Sequence, residues 1–263
     1  METTINGLRV FTNGNKENQA IIFIHGFPYD HTMWDSQVAA LSDEYFCVSY
    51  DIRGLGKSYV GDGQYTMEAY IWDLFSIIDK LNLEKPIICG LSMGGYISFR
   101  AVEARQELFG GLILCDTRSE SDDNAGKIKR SLAINKINTE GLEAFVSEFI
   151  PNCFHPKTPK RLSEMYNRIF DITKNQNPTG VKGALIAMLS RKDTTKSLKK
   201  INIPTLVLVG TKDALTPPDV MKGIANKIKK SEFRKISKAG HMTPLENPEM
   251  VNYYIRKFLG KNF

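Results

Sequence analysis

The sequence predicts an α/β fold, in which a doubly wound, mostly parallel sheet carries helices on both faces and an inserted helical cap. Short apolar segments alternate with longer segments of helical apolar spacing, which is the pattern of parallel strands joined by crossover helices. The interval 119–200 breaks this alternation, because it contains helical patterns and no strand pattern. The length of 263 residues therefore fits one large domain with an insertion as well as it fits two domains.

Seven short segments are predicted to be strands. Several of them are unbroken apolar runs, as expected where both faces of a strand are covered. Strands that alternate with helices favour a parallel sheet over an antiparallel one. The predicted strands are Leu8–Phe11, Ala20–Ile24, Tyr45–Tyr50, Pro86–Cys89, Gly111–Cys115, Thr205–Val209 and Phe233–Ile236.

Five segments outside the interval 119–200 are predicted to be helices, since their apolar residues fall on one face. In the second of them, Ile71, Leu74 and Ile78 lie at positions i, i+3 and i+7. The predicted helices are Met33–Leu41, Met67–Leu81, Met93–Ala104, Pro218–Ile228 and Pro248–Phe258.

The interval 119–200 contains four further helical patterns, separated by clusters of Asn, Pro and Gly. They are Lys127–Ile137, Leu142–Ile150, Pro159–Ile172 and Val181–Leu189. We predict that residues 1–118 and 201–263 form one sheet-based core, and that residues 119–200 form a helical cap inserted between two of its strands.

The segment Gly90–Gly95 matches the pattern G-x-S-x-G, with Ser92 at its centre. It lies between a predicted strand and a predicted helix, the context in which a serine is held on a sharp turn with its hydroxyl accessible. Glycines flank the serine because a Cβ there would crowd the turn. We predict that Ser92 is a nucleophile, and the alternative is a plain glycine-rich turn.

A serine hydroxyl is a weak nucleophile near neutral pH, so it needs a general base that a carboxylate orients. His241 follows the last predicted strand, beside the Ser92 turn, and is the predicted base. Asp213 follows another predicted strand and gives the chain order nucleophile, acid, base. Asp116 also ends a predicted strand and is the alternative acid, unless it only caps the next turn.

Acyl transfer also needs donors for the oxyanion that forms on the attacked carbonyl, and two backbone N–H groups are the usual device. Met93 follows the nucleophile and supplies one of them. Phe27 lies on the loop after an early strand and supplies the second. His25, which precedes this loop, is predicted to brace it rather than to act in catalysis.

These motifs together resemble the α/β-hydrolase fold superfamily, in its branch of small carboxylesterases, enol-lactonases and cofactor-free haloperoxidases. The resemblance covers nearly the whole chain, and its motifs specify the fold and the Ser–Asp–His machinery more closely than the substrate. The motifs are His25–Pro28, Asp51–Ser58, Gly90–Gly95, Gly210–Asp213 and Gly240-His241.

The resemblance implies that Asp51–Ser58 is a structural turn and that the interval 119–200 is a cap over the active site. The end of this turn looks like a phosphate-binding P-loop, but Asp51 stands where that motif requires glycine. Because position 92 is serine rather than aspartate, the resemblance does not extend to the chemistry of haloalkane dehalogenases or epoxide hydrolases.

We therefore predict a serine hydrolase that cleaves a carboxylic ester or lactone through an acyl-enzyme, with no metal or organic cofactor. Two alternatives use the same site. One is a ligand receptor or signalling protein that retains the triad and turns over slowly. The other is a perhydrolase or haloperoxidase, in which peroxide replaces water.

Charge is divided unevenly along the chain, whose net charge is +6. Residues 1–120 contain 9 basic and 16 acidic residues, residues 121–200 contain 15 and 8, and residues 201–263 contain 11 and 5. The lysines are spread out, which favours solvated helix faces over a nucleic-acid site. As an alternative, Lys127, Lys129 and Arg130 of the predicted cap attract an anionic substrate tail.

Apolar residues of the predicted cap form either the wall of a substrate site or the internal packing of the cap. Internal packing is the favoured interpretation, because a cap must bury its own helix faces. These residues are Phe145, Phe149, Phe154, Met165, Leu185, Met188 and Leu189.

No uncharged apolar segment reaches the roughly 20 residues that a membrane span needs. The N-terminal segment lacks the pattern of a secretory signal, and the four cysteines form neither a CxxC pair nor a cluster with histidine. We expect reduced thiols, no metal, a cytoplasmic location, no nucleic-acid partner and a small-molecule ester or lactone substrate. Nothing in the sequence indicates an oligomeric state.

Overall fold

The computed structural model describes residues 1–263 and is built on one sheet of eight strands. The strands are β1 (Glu2–Ile5), β2 (Leu8–Asn13), β3 (Ala20–Ile24), β4 (Phe46–Tyr50), β5 (Ile87–Leu91), β6 (Gly111–Cys115), β7 (Thr205–Gly210) and β8 (Ser231–Ile236). Their order across the sheet is β1-β2-β4-β3-β5-β6-β7-β8. β2 pairs antiparallel with β1 and β4, and all other pairs are parallel. The predicted α/β fold with a mostly parallel sheet is confirmed.

Eleven α-helices accompany the sheet. They are α1 (Asp35–Leu41), α2 (Met67–Lys80), α3 (Met93–Arg105), α4 (Asn124–Glu140), α5 (Leu142–Cys153), α6 (Thr158–Arg161), α7 (Ser163–Lys174), α8 (Pro178–Leu189), α9 (Pro218–Lys227), α10 (Thr243–Glu246) and α11 (Pro248–Asn262). Helix α1 packs against α11, and α2 packs against α3. Three short 3₁₀ helices occur at His31–Trp34, Gln106–Leu108 and Thr195–Lys200.

The strands β3 to β7 are buried along their whole length, in agreement with their apolar sequences. Their parallel register aligns their carboxyl ends, because Ile24 pairs with Gly90, Leu91 with Cys115, and Cys115 with Leu208. Residues that directly follow these strands therefore gather at one edge of the sheet. All the predicted site residues belong to segments that leave this edge.

The first strand is absent from the strands predicted by sequence. β1 pairs with β2 through a turn at Asn6 and Gly7, both of which have positive φ angles. Two of its four residues are exposed and only Ile5 is buried, so it does not form an apolar run. This edge hairpin therefore lacks the pattern by which the inner strands were predicted.

Between β6 and β7 the chain forms five α-helices and no strand. We call α4 to α8 the inserted helices. The predicted helix Pro159–Ile172 is wrong as one unit, because Leu162 has non-helical backbone angles and separates α6 from α7. The division into a core and a cap stays a prediction. No helix in the chain combines the length and apolar character needed to cross a membrane.

The segment Asp51–Ser58 is a tight turn organised around the carboxylate of Asp51. This carboxylate accepts hydrogen bonds from the backbone N–H groups of His31 and Lys57, at 2.9 and 2.8 Å. Gly56 has a positive φ, and a Cβ there would overlap the Asp51 carboxylate. The backbone N–H groups of Gly56 and Lys57, which a P-loop would offer to a phosphate, thus donate to the side chains of Gln176 and Asp51.

Candidate active site

Ser92 lies on the sharp turn between β5 and α3. Its backbone angles, φ 53° and ψ −109°, are in a region that non-glycine residues rarely adopt. The Ser92 N–H donates to the carbonyl of Cys115 at 3.0 Å, and the Thr117 hydroxyl donates to the carbonyl of Ser92 at 2.8 Å. Contacts to the neighbouring strand end therefore hold the strained turn in place.

Gly94 allows α3 to begin close to the end of β3. A Cβ at this position would overlap the carbonyl oxygen of Ile24 and lie 2.9 Å from that of His25. The absence of a side chain thus brings the start of α3 against the loop that follows β3. This close approach places Phe27 and Ser92 along the same cavity.

His241 and Asp213 form a direct hydrogen bond, with 2.9 Å between Nδ1 of the histidine and Oδ2 of the aspartate. Both side chains are buried, at 5% and 0% exposure. Because a carboxylate only accepts, Nδ1 carries the proton and Nε2 is left as the acceptor. No hydrogen bond is made at Nε2, and none joins it to Ser92, although both residues line one cavity.

The carboxylate of Asp213 is held by several donors besides His241. The backbone N–H groups of Leu215 and Thr216 donate to its Oδ1 at 2.8 and 2.9 Å, and the Thr216 hydroxyl donates to its Oδ2. Burial alone would raise the pKa of Asp213, but the charge of His241 and these hydrogen bonds outweigh it and lower the pKa to about 2. Asp213 is therefore an anion at neutral pH.

Asp116, the alternative acid, is bonded elsewhere. Its carboxyl group accepts the N–H of Gly210 at 2.8 Å and the hydroxyl of Thr243. Complete burial, together with the nearby charge of Asp213, raises its pKa well above the ordinary range. Asp116 thus ties the ends of β6 and β7 to the start of α10, and it makes no hydrogen bond to His241.

The backbone N–H groups of Phe27 and Met93 donate to no group of the protein. Both residues are buried, and Met93 is the first residue of α3, whose first turn has no intrahelical acceptors. His25 is completely buried beside this loop. Its Nε2 accepts the N–H of Ile52 at 2.9 Å, and its Nδ1 contacts the carbonyl of Gly26 at 2.8 Å.

The side chains of the remaining histidines, His31 and His155, make no hydrogen bond to His241 or Asp213. His31 bonds the carboxylate of Asp51 through Nδ1 at 2.7 Å and stacks on Phe11. His155 lies between α5 and α6, where its Nδ1 accepts the N–H of Lys157. No group of three or more His, Cys, Asp or Glu side chains is arranged to hold a metal ion.

A cavity of about 250 Å³ opens onto Ser92 and His241. The inserted helices provide much of its wall, both apolar and charged. Of the apolar residues predicted for the cap, Phe145, Phe149, Leu185 and Met188 line this cavity, whereas Phe154, Met165 and Leu189 do not. The lining residues are Phe27, Ser92, Tyr96, Arg118, Asp122, Gly126, Lys129, Arg130, Ala133, Phe145, Phe149, Leu185, Met188, Leu215, Thr216 and His241.

Glu246 is a buried residue of this region that the sequence interpretation missed. Its Oε2 accepts the N–H groups of Gly240 and Met242, at 2.6 and 3.4 Å, which flank His241. Its Oε1 accepts the N–H of His155 at 2.7 Å and the hydroxyl of Thr158. A single carboxylate therefore joins the His241 loop to the inserted helices.

Comparison with known proteins identifies the family. Residues 19–248 match the family described as alpha/beta hydrolase fold. The chain belongs to the α/β-hydrolase family. The 3-oxoadipate enol-lactonase 1 of Acinetobacter baylyi is 29% identical over 242 residues, which cover 92% of this chain and 89% of that protein.

A thermophilic esterase from Thermogutta terrifontis, solved with malate bound, shares 35% identity and a TM-score of 0.94, over 99% of this chain and 98% of that one. A protein of Synechocystis that is provisionally named a non-heme chloroperoxidase is 25% identical, over 92% of this chain and 91% of that protein. The predicted branch of the family is confirmed. The prediction that the protein is a carboxylesterase-type hydrolase is also confirmed.

Proposed function

We propose that this hydrolase cleaves a carboxylic ester or lactone through an acyl-enzyme on Ser92, with His241 as general base and Asp213 as its partner. The observation that carries the proposal is the buried hydrogen bond between His241 and Asp213 beside a strained Ser92. It fixes the tautomer in which Nε2 accepts a proton. Enol-lactonase and esterase relatives support the substrate class.

In the first half of the reaction, Ser92 Oγ attacks the substrate carbonyl while its proton passes to His241 Nε2. Asp213 stabilises the resulting imidazolium. The N–H groups of Phe27 and Met93 donate to the oxyanion, and one such donor is worth about 3 kcal/mol in the transition state. Collapse of the tetrahedral intermediate expels the alcohol, which takes the proton from His241.

In the second half, water attacks the acyl-enzyme and gives its proton to His241 Nε2. Collapse of the second tetrahedral intermediate returns that proton to Ser92 Oγ and releases the carboxylic acid. With a lactone, the alcohol and the acid are parts of one molecule, so that the product is a hydroxy or keto acid. No step needs a group beyond the side chains and N–H groups named.

The test compares turnover of a short 4-nitrophenyl ester by the wild type and by Ser92→Ala. We expect the variant to lose about 10⁴-fold or more in kcat while it keeps its fold by circular dichroism. Comparable rates in both would remove Ser92 from the mechanism. If the wild type hydrolyses no member of a broad ester and lactone panel, yet a small molecule raises its Tm, the receptor alternative replaces the proposal.

A second activity is favoured by the Synechocystis relative. Hydrogen peroxide attacks the acyl-enzyme in place of water, which releases a peracid and regenerates Ser92. Peracid formation from acetate ester and peroxide, measured in wild type and in Ser92→Ala, tests this activity. A cytoplasmic location, the absence of a nucleic-acid partner and the division into core and cap stay predictions.

A further inference from the structure

The candidate active-site cavity is lined by more positive than negative side chains. Arg118, Lys129 and Arg130 contribute positive charge, and Asp122 is the one acidic residue among the lining residues. Two of these residues, Lys129 and Arg130, come from helix α4. Arg118 comes from the segment after β6, in the part of the chain that carries more acidic than basic residues.

The positive charge of Arg130 is compensated within the cavity wall. Arg130 forms an ion pair with Asp122, whose carboxylate also lies 2.9 Å from Arg191. Burial would raise the pKa of Asp122, but these two arginines together lower it. Asp122 is thus a shared anion between two guanidinium groups, and this cluster serves to attach α4 to the end of α8.

Arg118 and Lys129 have no carboxylate partner. The Arg118 guanidinium donates one hydrogen bond, to the carbonyl of Leu215 at 2.8 Å. The N–H of Leu215 donates in turn to Asp213, so that Arg118 is fixed to the loop that holds the candidate triad acid. A guanidinium offers five donors, and those of Arg118 make only this one hydrogen bond within the protein. Lys129 makes neither an ion pair nor a hydrogen bond.

We propose that Arg118 and Lys129 form an anion subsite, which selects esters or lactones that carry a carboxylate on the acyl side. This inference rests on the proposed function. Guanidinium and carboxylate groups form paired, charge-assisted hydrogen bonds. Phe145 and Phe149 line the same cavity and supply an apolar wall beside these charges. The uncharged part of a short acyl chain packs against that wall.

Lys127 offers a matched control. It belongs to the same helix as Lys129, and both lysines are exposed, but only Lys129 lines the cavity. Glutamine at either position removes one positive charge and leaves a helix-compatible side chain. If net charge alone set the preference for an anionic substrate, either substitution would reduce that preference. If Lys129 belongs to a subsite, only the substitution at Lys129 reduces it.

The experiment measures kcat/KM for 4-nitrophenyl hydrogen adipate, which carries a carboxylate, and for 4-nitrophenyl hexanoate, which has the same acyl length without one. We expect the wild type to prefer the adipate ester. The ratio of the two values is expected to fall about tenfold or more in Arg118→Gln and in Lys129→Gln, as for the loss of a hydrogen bond to a charged group. The ratio in Lys127→Gln stays at the wild-type value.

A ratio that is unchanged in both Arg118→Gln and Lys129→Gln, or that falls equally in Lys127→Gln, overturns the subsite while ester hydrolysis stands. If the wild type hydrolyses neither ester, the proposed function fails and the subsite fails with it. Free adipate provides a second readout as an inhibitor of hexanoate turnover. Its Ki is expected to rise in the Arg118 and Lys129 variants, and equal values in all four proteins contradict the proposal.

Discussion

Replacing Glu246 by alanine is expected to destabilise the His241 loop and the inserted helices together. The Glu246 side chain is almost fully buried, and its two oxygens accept hydrogen bonds from both segments. His241 itself is linked to the end of α5, since its N–H donates to the carbonyl of Cys153 at 2.8 Å. The carboxylate and this backbone contact are therefore two parts of one connection.

The magnitude follows from the donors that would lose their acceptor. Gly240 N–H and the Thr158 hydroxyl are buried, and His155 N–H is partly buried. An unsatisfied buried donor lowers the free energy of unfolding by about 1–3 kcal/mol. We expect Glu246→Ala to lower the free energy of unfolding by about 3–5 kcal/mol. This is a large share of the about 5–15 kcal/mol by which a typical domain is stable. Glu246→Gln keeps one acceptor oxygen and is expected to lose about half as much.

Urea unfolding followed by circular dichroism measures the loss, with Glu249→Ala as the control. Glu249 lies three residues further on and is exposed, so its substitution is expected to change the free energy of unfolding by less than about 0.5 kcal/mol. In Glu246→Gln, kcat for an ester is expected to fall at urea concentrations well below the unfolding midpoint. The reason is that His241 lies between Gly240 and Met242, whose N–H groups donate to Glu246. Equal urea midpoints for Glu246→Ala and Glu249→Ala would refute this reasoning.

Three further predictions concern the sheet edge. Asp213→Asn is expected to lower kcat about 10⁴-fold, whereas Asp116→Asn retains most of the activity. If steady-state kinetics instead show the larger loss in Asp116→Asn, Asp116 is the acid. The lowered pKa of Asp213 stabilises the folded state above pH 4, and this stabilisation is lost as the pH falls to 2. Over that range the free energy of unfolding, measured with a chemical denaturant, is expected to fall by about 2 kcal/mol more in the wild type than in Asp213→Asn. Equal losses in the two proteins would contradict a lowered pKa of Asp213 in the folded state. Gly94→Ala is expected to prevent stable folding, because its Cβ would overlap the Ile24 carbonyl; a wild-type Tm would show that α3 shifts freely.

The inner sheet could be predicted from sequence because its strands are covered on both faces. Burial of both faces requires continuous apolar runs, and β3 and β6 begin and end at the residues predicted for them. The edge strand β1 has one exposed face and no such run. Its Asn6-Gly7 turn, a strong hairpin signal between two strands, is the feature by which it could have been found.

The gathering of Ser92, Asp213 and His241 at one edge follows from the parallel direction of the strands, because parallel strands end on the same side. Which of Asp213 and Asp116 partners the histidine does not follow from strand direction. Both follow adjacent strands, and the loop after each decides where its carboxyl group lies: Asp116 bonds Gly210 and Thr243, which leaves Asp213 for the histidine. Such loop conformations depend on contacts distant in sequence.

The partners of Glu246 and Arg118 also could not be predicted, because they too are distant in sequence. The hydrogen bond from His155 to Glu246 spans 91 residues, and the bond from Arg118 to Leu215 spans 97. Neither side chain belongs to a motif, and neither spacing indicates a partner. The sequence does not distinguish Lys127 from Lys129, and only the fold shows that Lys129 lines the cavity whereas Lys127 does not.

The central claim is that Ser92 carries the acyl group, and an organophosphate ester tests it most directly. Such a compound transfers its phosphoryl group to an activated serine and loses its leaving group. The phosphoryl group stays on the serine, so the modified residue is identified by mass spectrometry of the digested protein. We expect one label per chain, on Ser92, in proportion to the activity lost, and none in Ser92→Ala. Complete inactivation with the label on another residue, or full activity after Ser92 is labelled, would contradict the account.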